Sequence, residues 1–110
     1  MLPGAFTSEW IWKQDDGACR KIQIPLNHIW FPHRHRRHKK IIVIEAGRAS
    51  VRVEQTTLNR ERGDSISLPK DTWLEIKNIG PEPLCLIEIS FSEINRKWYL
   101  DEDWETENNA

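Results

Sequence analysis

Two histidines separated by one residue, His33 and His35, are the side chains of this sequence best suited to chemistry. They stand in the stretch FPHRHRRHKKIIVIEAG, residues 31–47, at the end of an extended run. Because residues i and i+2 of a strand face the same side, both imidazoles are expected to point into one space. Such a pair can form half of a metal site, line a pocket for a small ligand, or belong to a basic surface.

Three further side chains could join the histidines at such a site. His38 offers a third imidazole, Lys40 offers an ammonium, and Glu88 shares a strand face with two leucines, at positions 84 and 86. A strand that buries those leucines would also direct the Glu88 carboxylate inward. The alternative to a ligand site is a buried ion pair between Lys40 and Glu88 with a purely structural role.

Short strands must position these residues, because almost the whole chain alternates between apolar runs and turn residues. The predicted strands cover residues 8–13, 19–24, 29–35, 41–44, 49–53, 57–60, 65–68, 73–77 and 84–91. No segment of helical periodicity precedes Ser92. Many short strands with closely spaced turns predict a sandwich or a barrel. Alternation places seven side chains inside it: Ile42, Ile44, Val51, Val53, Ile66, Leu68 and Ile76.

Composition limits the classes of partner. The chain has 110 residues, which suits one domain, and a formal net charge of -1, which argues against nucleic acid and membrane surfaces. No apolar run approaches the roughly 20 residues of a membrane span. Cys19 and Cys85 form no C-x-x-C pair, so reduced thiols and a cytoplasmic location are expected. We expect one domain over residues 1–104 and a disordered acidic tail over 105–110.

The spacing of the anchor residues resembles the two motifs of the cupins, G-x5-H-x-H-x(3 or 4)-E-x6-G and G-x5-P-x-G-x2-H-x3-N. All spacings fit, and six of the ten anchor positions hold the expected residue. The first motif falls on Asn27, His33, His35, Lys40 and Gly47, and the second on Gly63, Pro69, Asp71, Leu74 and Asn78.

The wider sequence, over residues 8–104, resembles the C-terminal cupin domain of type II mannose-6-phosphate isomerase / mannose-1-phosphate guanylyltransferase proteins. This resemblance implies an all-β cupin fold, the double-stranded β-helix or jelly-roll-like barrel. It also implies a site inside that barrel, where cupins bind a divalent metal through the two histidines, the glutamate and the third histidine of their motifs.

The departures from those motifs predict that the metal site is degenerate. Lys40 and Leu74 stand at the glutamate and third-histidine positions, and neither side chain has a lone pair to donate. No metal cofactor is therefore expected, and the predicted ligand-binding residues are His33, His35, Lys40 and Glu88. A shifted alignment would instead put His38 at the glutamate position, at the cost of two extra residues before Gly47. A divalent metal would then use His33, His35, His38 and Glu88.

Three functions remain open at this point, and no catalytic residue is assigned. The first is a stand-alone cupin that binds a small polar or anionic molecule, with sugar phosphate suggested by the resemblance. The second is a metal-dependent sugar-phosphate isomerase, and the third is a non-catalytic structural or regulatory subunit. A homodimer is expected because residues 41–44 are apolar on both strand faces, with Trp10 and Trp12 on one face of a strand that could join the interface.

Overall fold

The computed structural model of the chain describes residues 2–3, 7–14, 17–35, 38–92 and 104–106. For several strand residues, His35 among them, it describes the backbone alone. Within these ranges no helix is long and apolar enough to cross a membrane. The described residues form eleven strands: β1 (Leu2–Pro3), β2 (Thr7–Lys13), β3 (Gly17–Ile24), β4 (His28–His35), β5 (His38–Ala46), β6 (Arg48–Val53), β7 (Thr56–Glu61), β8 (Ser65–Leu68), β9 (Leu74–Asn78), β10 (Leu84–Ser92) and β11 (Trp104–Thr106).

The strands form two sheets. The first has the order β1-β4-β9-β6-β7, with β11 also paired to β4, and the second has the order β2-β3-β10-β5-β8. β11 includes the first two residues of the predicted tail, while residues 107–110 lie outside the described part of the chain. Neighbours far apart in sequence, such as β3 and β10, pair in both sheets, which gives the all-β cupin architecture expected from the sequence.

The two sheets stack face to face without closing into a hydrogen-bonded barrel. β7 ends one sheet and β8 ends the other, and the described strands form no ladder between them. A cleft of about 200 Å³, lined by residues of β6, β7 and β8, separates the two edges. The predicted all-β cupin fold of two packed sheets is confirmed, and its barrel is open at this side, because among the described strands β7 pairs with β6 alone and β8 pairs with β5 alone.

The core lies between the sheets and confirms the predicted inward faces. Six of the seven side chains predicted to be inside are buried, and Val53 packs against them while partly exposed. The full buried cluster adds residues from β3, β4, β6, β9 and β10. Its members are Ile22, Ile24, Trp30, Ile42, Ile44, Ala49, Val51, Ile66, Leu68, Leu74, Ile76, Leu84 and Leu86.

The turns at the glycine positions of the cupin motifs have positive φ angles even where another residue replaces glycine. Gly47 and Gly63 have φ angles of 90° and 92°. Asn27 and Asp71, which replace motif glycines, have φ angles of 64° and 60°. Asn and Asp tolerate this left-handed conformation better than other non-glycine residues, so the replacements preserve the turns.

Asn78, the last anchor of the second motif, fixes the turn between β9 and β10. Its Nδ2 donates to the carbonyl oxygens of Ile24 and Glu82 at 2.9 and 3.0 Å. Its Oδ1 accepts from the amide of Gly80 at 2.7 Å. The residue is buried, and it ties this turn to the end of β3.

A β-bulge in β2 separates the two tryptophans that were expected to share a face. Trp10 pairs with Arg20, whereas Trp12 pairs with Cys19, the next residue of β3. Cross-strand partners share a face and adjacent residues do not, so the two indoles lie on opposite faces of the sheet. The prediction of a common face was wrong because Ile11 is an extra residue that breaks the alternation.

Candidate ligand site between the sheets

A second bulge, in β4, places an aromatic ring beside His33. Trp30 pairs with Ile76 and His33 pairs with Leu74. A step of three residues along β4 therefore corresponds to a step of two residues along β9. Because Leu74 and Ile76 both face the core, Trp30 and His33 face it as well. Their rings stack with centroids 4.3 Å apart, and His33 is 1% exposed.

Neighbouring strands of the other sheet provide three charged side chains. Glu88 in β10 pairs with Arg20 in β3 and with Ile42 in β5. Lys40 lies two residues before Ile42 and therefore shares its inward face. Lys40 is 4% exposed and Glu88 is 1% exposed, so strand alternation buries an ammonium and a carboxylate at the same end of the sandwich.

These charges form a buried network around Glu88. Lys40 Nζ donates to Glu88 Oε2 at 3.1 Å, and Arg20 Nε donates to Glu88 Oε1 at 2.7 Å. Lys40 Nζ also lies 3.4 Å from His33 Nε2. Each oxygen of the carboxylate thus receives a charge-assisted hydrogen bond, which offsets the cost of removing these charges from water.

The Trp30 ring completes the packing of this network. Lys40 Nζ lies 5.2 Å from the ring centroid, and the guanidinium carbon of Arg20 lies 5.5 Å from it. The π face of an indole attracts cations, most strongly where water is excluded. Trp30 therefore holds both cations near Glu88 as well as stacking on His33.

The structure brings together three of the four predicted ligand-binding residues: His33, Lys40 and Glu88. The backbone of His35 ends β4, and its side chain lies outside the described part of the structure. His38 is the first residue of β5 and is 5% exposed. The inward direction expected for Glu88 from its alternation with Leu84 and Leu86 is confirmed, since all three are buried.

The side chains that the structure describes at this site do not form a metal-ligand set. Lys40 and Leu74 occupy the motif positions that would supply a carboxylate and an imidazole, and Leu74 lies opposite His33 in the β4–β9 ladder. Among the described residues, no three His, Cys, Asp or Glu side chains converge in a way that could hold a metal. Glu88, the remaining candidate carboxylate, is engaged by Arg20 and Lys40.

Sequence reasoning missed Arg20 and the packing role of Trp30. Arg20 lies two and four residues before Ile22 and Ile24, which both face the core, so the alternation that located Glu88 would also have located Arg20. Strict alternation gives the wrong face for Trp30, because the bulge in β4 reverses its face relative to His33. Pro32, which lies inside this bulge, is the sequence signal that could have indicated it.

Two free cysteines lie on the opposite, outer face of the second sheet. Burial raises the pKa of the Cys19 thiol, and the negative charge of Glu88 raises it further. Burial likewise raises the pKa of the Cys85 thiol, with the Glu45 carboxylate adding to the effect. Both side chains are therefore protonated at neutral pH and are poor nucleophiles.

A larger cleft, of about 810 Å³, lies at the same end of the sandwich, beside β5 and β8. Its lining combines lysines with apolar side chains. The lining residues are Lys39, Lys40, Ile41, Ser67, Leu68, Pro69, Lys70 and Phe91.

The chain was compared with protein-family models and with curated proteins. Residues 24–90 match the family model described as "Cupin domain". A search of curated proteins finds no match.

Solved structures share the fold at low sequence identity. The Schizosaccharomyces pombe Cnp3 cupin domain matches with a TM-score of 0.75 at 20% identity, over 80% of this chain and 65% of that chain. KdgF from Halomonas sp. matches with a TM-score of 0.72 at 19% identity, over 80% of each chain. A putative sugar phosphate isomerase from Acidithiobacillus ferrooxidans matches with a TM-score of 0.63 at 20% identity, over 69% of this chain and 50% of that chain. The chain thus spans less than two thirds of the first and third of these structures.

Proposed function

The chain belongs to the cupin family, and we propose that it binds a small anionic molecule between its sheets, with the Lys40 ammonium in place of a metal ion. The observation that carries the proposal is the position of Lys40, which is buried at the glutamate anchor of the first motif and lies 3.4 Å from His33 Nε2. A buried positive charge beside an imidazole favours an anionic oxygen.

The Arg20–Glu88–Lys40 network allows such a ligand to bind without leaving a buried charge unpaired. Lys40 carries its ammonium on a flexible four-carbon stem and can exchange one anionic partner for another. If the ligand oxygen takes Lys40 from Glu88, the carboxylate keeps its 2.7 Å hydrogen bond to Arg20. Binding therefore replaces one ion pair by another, which limits the desolvation cost.

A phosphorylated sugar is the ligand class that we propose. Its phosphate would engage Lys40 and its hydroxyls would engage His33, with His35 as the further ligand-binding residue predicted from the sequence. The resemblance of the motifs to mannose-6-phosphate isomerase domains supports this class, as does the fold shared with the putative sugar phosphate isomerase. The proposal keeps the cytoplasmic location expected from the sequence, which the free thiols of Cys19 and Cys85 support.

Calorimetric titration with inorganic phosphate and with a hexose 6-phosphate tests the proposal. We expect saturable binding of both by the parent protein and no binding of the unphosphorylated hexose. Lys40→Met should weaken binding roughly tenfold or more, because a hydrogen bond to a charged group is worth about 1.5–3 kcal/mol.

Lys77→Met is the matched control for this titration. It removes the same charge from the outer face of the first sheet, where Lys77 is 43% exposed and pairs with Glu75 at 3.5 Å. Its affinity for phosphate should equal that of the parent. Equal losses in the two variants would mean that the anion responds only to net charge, and the proposed site would be wrong.

A specific observation also favours a non-catalytic scaffold as the second candidate. His33, Lys40, Glu88 and Trp30 are each less than 5% exposed and pack against one another, as expected of a structural ion pair. A scaffold predicts that the parent binds none of the tested anions, while loss of Glu88 still destabilises the fold. The same titration therefore separates the two functions.

The isomerase alternative receives no comparable support from the described residues. It requires a Lewis acid held by histidine and carboxylate donors, whereas Lys40 and Leu74 stand at two of those positions. We therefore propose anion binding without assigning a reaction.

A further inference from the structure

The large cleft beside β5 and β8 forms because the two strands end at different points. β8 ends at Leu68, which pairs with the third residue of β5, whereas β5 itself begins at His38. β10 continues along this extension of β5, with Phe91 paired to Lys39. Beyond β8 the chain leaves the ladder at Pro69. The early end of β8 therefore leaves a recess of about 810 Å³ against β5.

The cleft presents an aliphatic side chain and an aromatic ring on the outer face of the second sheet. Ile41 and Phe91 directly follow the buried Lys40 and Ser90, so strand alternation points both of them away from the core. Both line the cleft, and Phe91 is 42% exposed. An apolar partner in the cleft would remove this surface from water, which is favourable.

A second aromatic ring adjoins Phe91 on this face. Gly17 is the cross-strand partner of Phe91 in β3, and a Cβ at Gly17 would lie 3.1 Å from the Trp12 indole. The indole therefore covers Gly17 and lies next to Phe91. Trp12 is 43% exposed. Two neighbouring rings favour an aromatic partner, because aromatic rings attract one another in offset and edge-to-face contacts.

Two exposed lysines, Lys39 and Lys70, also line the cleft. Lys39 lies two residues before Ile41 and shares its outward face, while Lys70 lies in the turn after β8. Among the described residues that line the cleft, none is Asp or Glu, so the charge of the lining is positive. Lysine ammonium groups on flexible stems bind phosphate and carboxylate oxygens.

We propose that this cleft binds a small aromatic anion, a molecule in which a flat apolar ring carries a phosphate or carboxylate group. The ring lies on Ile41 and Phe91, and the anionic group lies between Lys39 and Lys70. Small-molecule sites are mostly apolar clefts of about 300–1,000 Å³ with a few polar groups that fix the orientation of the ligand. The cleft matches this description in size and in lining.

This site is distinct from the one proposed between the sheets. Lys40 contributes to the wall of the cleft, but its ammonium points inward and donates to Glu88 at 3.1 Å. The inner site selects a ligand by charge and hydrogen bonding, whereas the cleft also requires an apolar ring. The need for a ring is therefore the property that separates the two sites in an experiment.

Calorimetric titration with four probes tests the requirement for both a ring and a charge. The two aromatic anions are 1-naphthyl phosphate and 1-naphthoate, 1-naphthol lacks the charge, and inorganic phosphate lacks the ring. We expect saturable binding of at least one aromatic anion, roughly tenfold or more tighter than that of 1-naphthol and of inorganic phosphate. The tighter of the two aromatic anions identifies the anionic group that the cleft prefers.

Two substitutions in the cleft locate the bound probe. Phe91→Ala should weaken binding of the preferred aromatic anion roughly tenfold, because it removes the ring contact. Lys70→Met should weaken it roughly threefold, a smaller loss because water and salt screen an exposed charge. Neither change should alter binding of inorganic phosphate at the inner site by more than about twofold.

Matched controls exist on the other sheet. Leu58→Ala removes an apolar side chain that is 48% exposed, and Lys77→Met removes a charge on a side chain that is 43% exposed. Both should leave the affinity for the aromatic anion unchanged. Thermal unfolding verifies that all four variants keep the fold. The proposal is overturned if neither aromatic anion binds more tightly than inorganic phosphate, or if Phe91→Ala and Lys70→Met weaken binding no more than the controls do.

Discussion

At the scale of single residues, the substitution of lysine for the motif glutamate changes the chemistry of the site. Lys40 removes a metal ligand and at the same time supplies a cation, which pairs with Glu88 at 3.1 Å. The sequence allowed this pair to be predicted, because both residues alternate with apolar side chains that face the core. The same alternation places Arg20 on the inward face, where its Nε donates a 2.7 Å hydrogen bond to the same carboxylate.

Removing the carboxylate at the centre of this network should destabilise the protein strongly. Glu88→Gln leaves Arg20 and Lys40 buried without their shared anion, and losing one partner of a buried ion pair costs about 3–5 kcal/mol. Urea unfolding of parent and variant measures the difference.

Glu75→Gln serves as the control for that experiment. Its carboxylate pairs with Arg52 at 3.7 Å near the surface, where Arg52 is 31% exposed. Partly exposed pairs contribute about 0–1 kcal/mol, so this variant should lie close to the parent. A loss at Glu88 no larger than that at Glu75 would show that the network contributes little to stability.

At the scale of elements, the alternation of apolar residues predicted strand positions well and bulges poorly. The predicted strand at 65–68 coincides with β8, and the other eight predicted strands differ from those observed by a few residues at their ends, whereas β1 and β11 were not predicted. The bulge in β2 inserts one residue without a glycine or proline to mark it, whereas Pro32 lies inside the bulge in β4. Neither local pattern records the tertiary contacts that accompany a bulge, such as the stacking of Trp30 on His33.

Two turn glycines with the same backbone conformation should respond differently to alanine. Gly63→Ala should cost about 1–2 kcal/mol, since it adds only the strain of a left-handed φ with no atom within 4 Å of the new Cβ. Gly47→Ala should cost more, because its Cβ would lie 2.8 Å from the Pro83 carbonyl oxygen and 3.0 Å from the Leu84 Cα. Thermal or urea unfolding of both variants gives the comparison. Equal losses would mean that the turn at Gly47 moves to accept the methyl group.

At the scale of the whole molecule, the fold was more predictable than the function. The chain keeps the fold although four anchor residues of the cupin motifs are replaced. Asn27 and Asp71 keep the turn geometry, and Leu74 keeps its inward position. The open side between β7 and β8 was not predicted, because strand pairing between distant segments leaves no local pattern. Ligand identity was equally beyond prediction, since a cupin fold holds sites of many kinds.

If Lys40 stands in the place of a metal ion, reversing the substitution should restore metal binding. The measurement is the metal content of the parent and of the double variant Lys40→Glu with Leu74→His, both purified without chelator or affinity nickel and then dialysed against zinc. We expect much less than one zinc per chain in the parent and about one per folded chain in the double variant, whose two new side chains complete the motif set. One tightly held metal per chain in the parent, or none in a folded double variant, would contradict it.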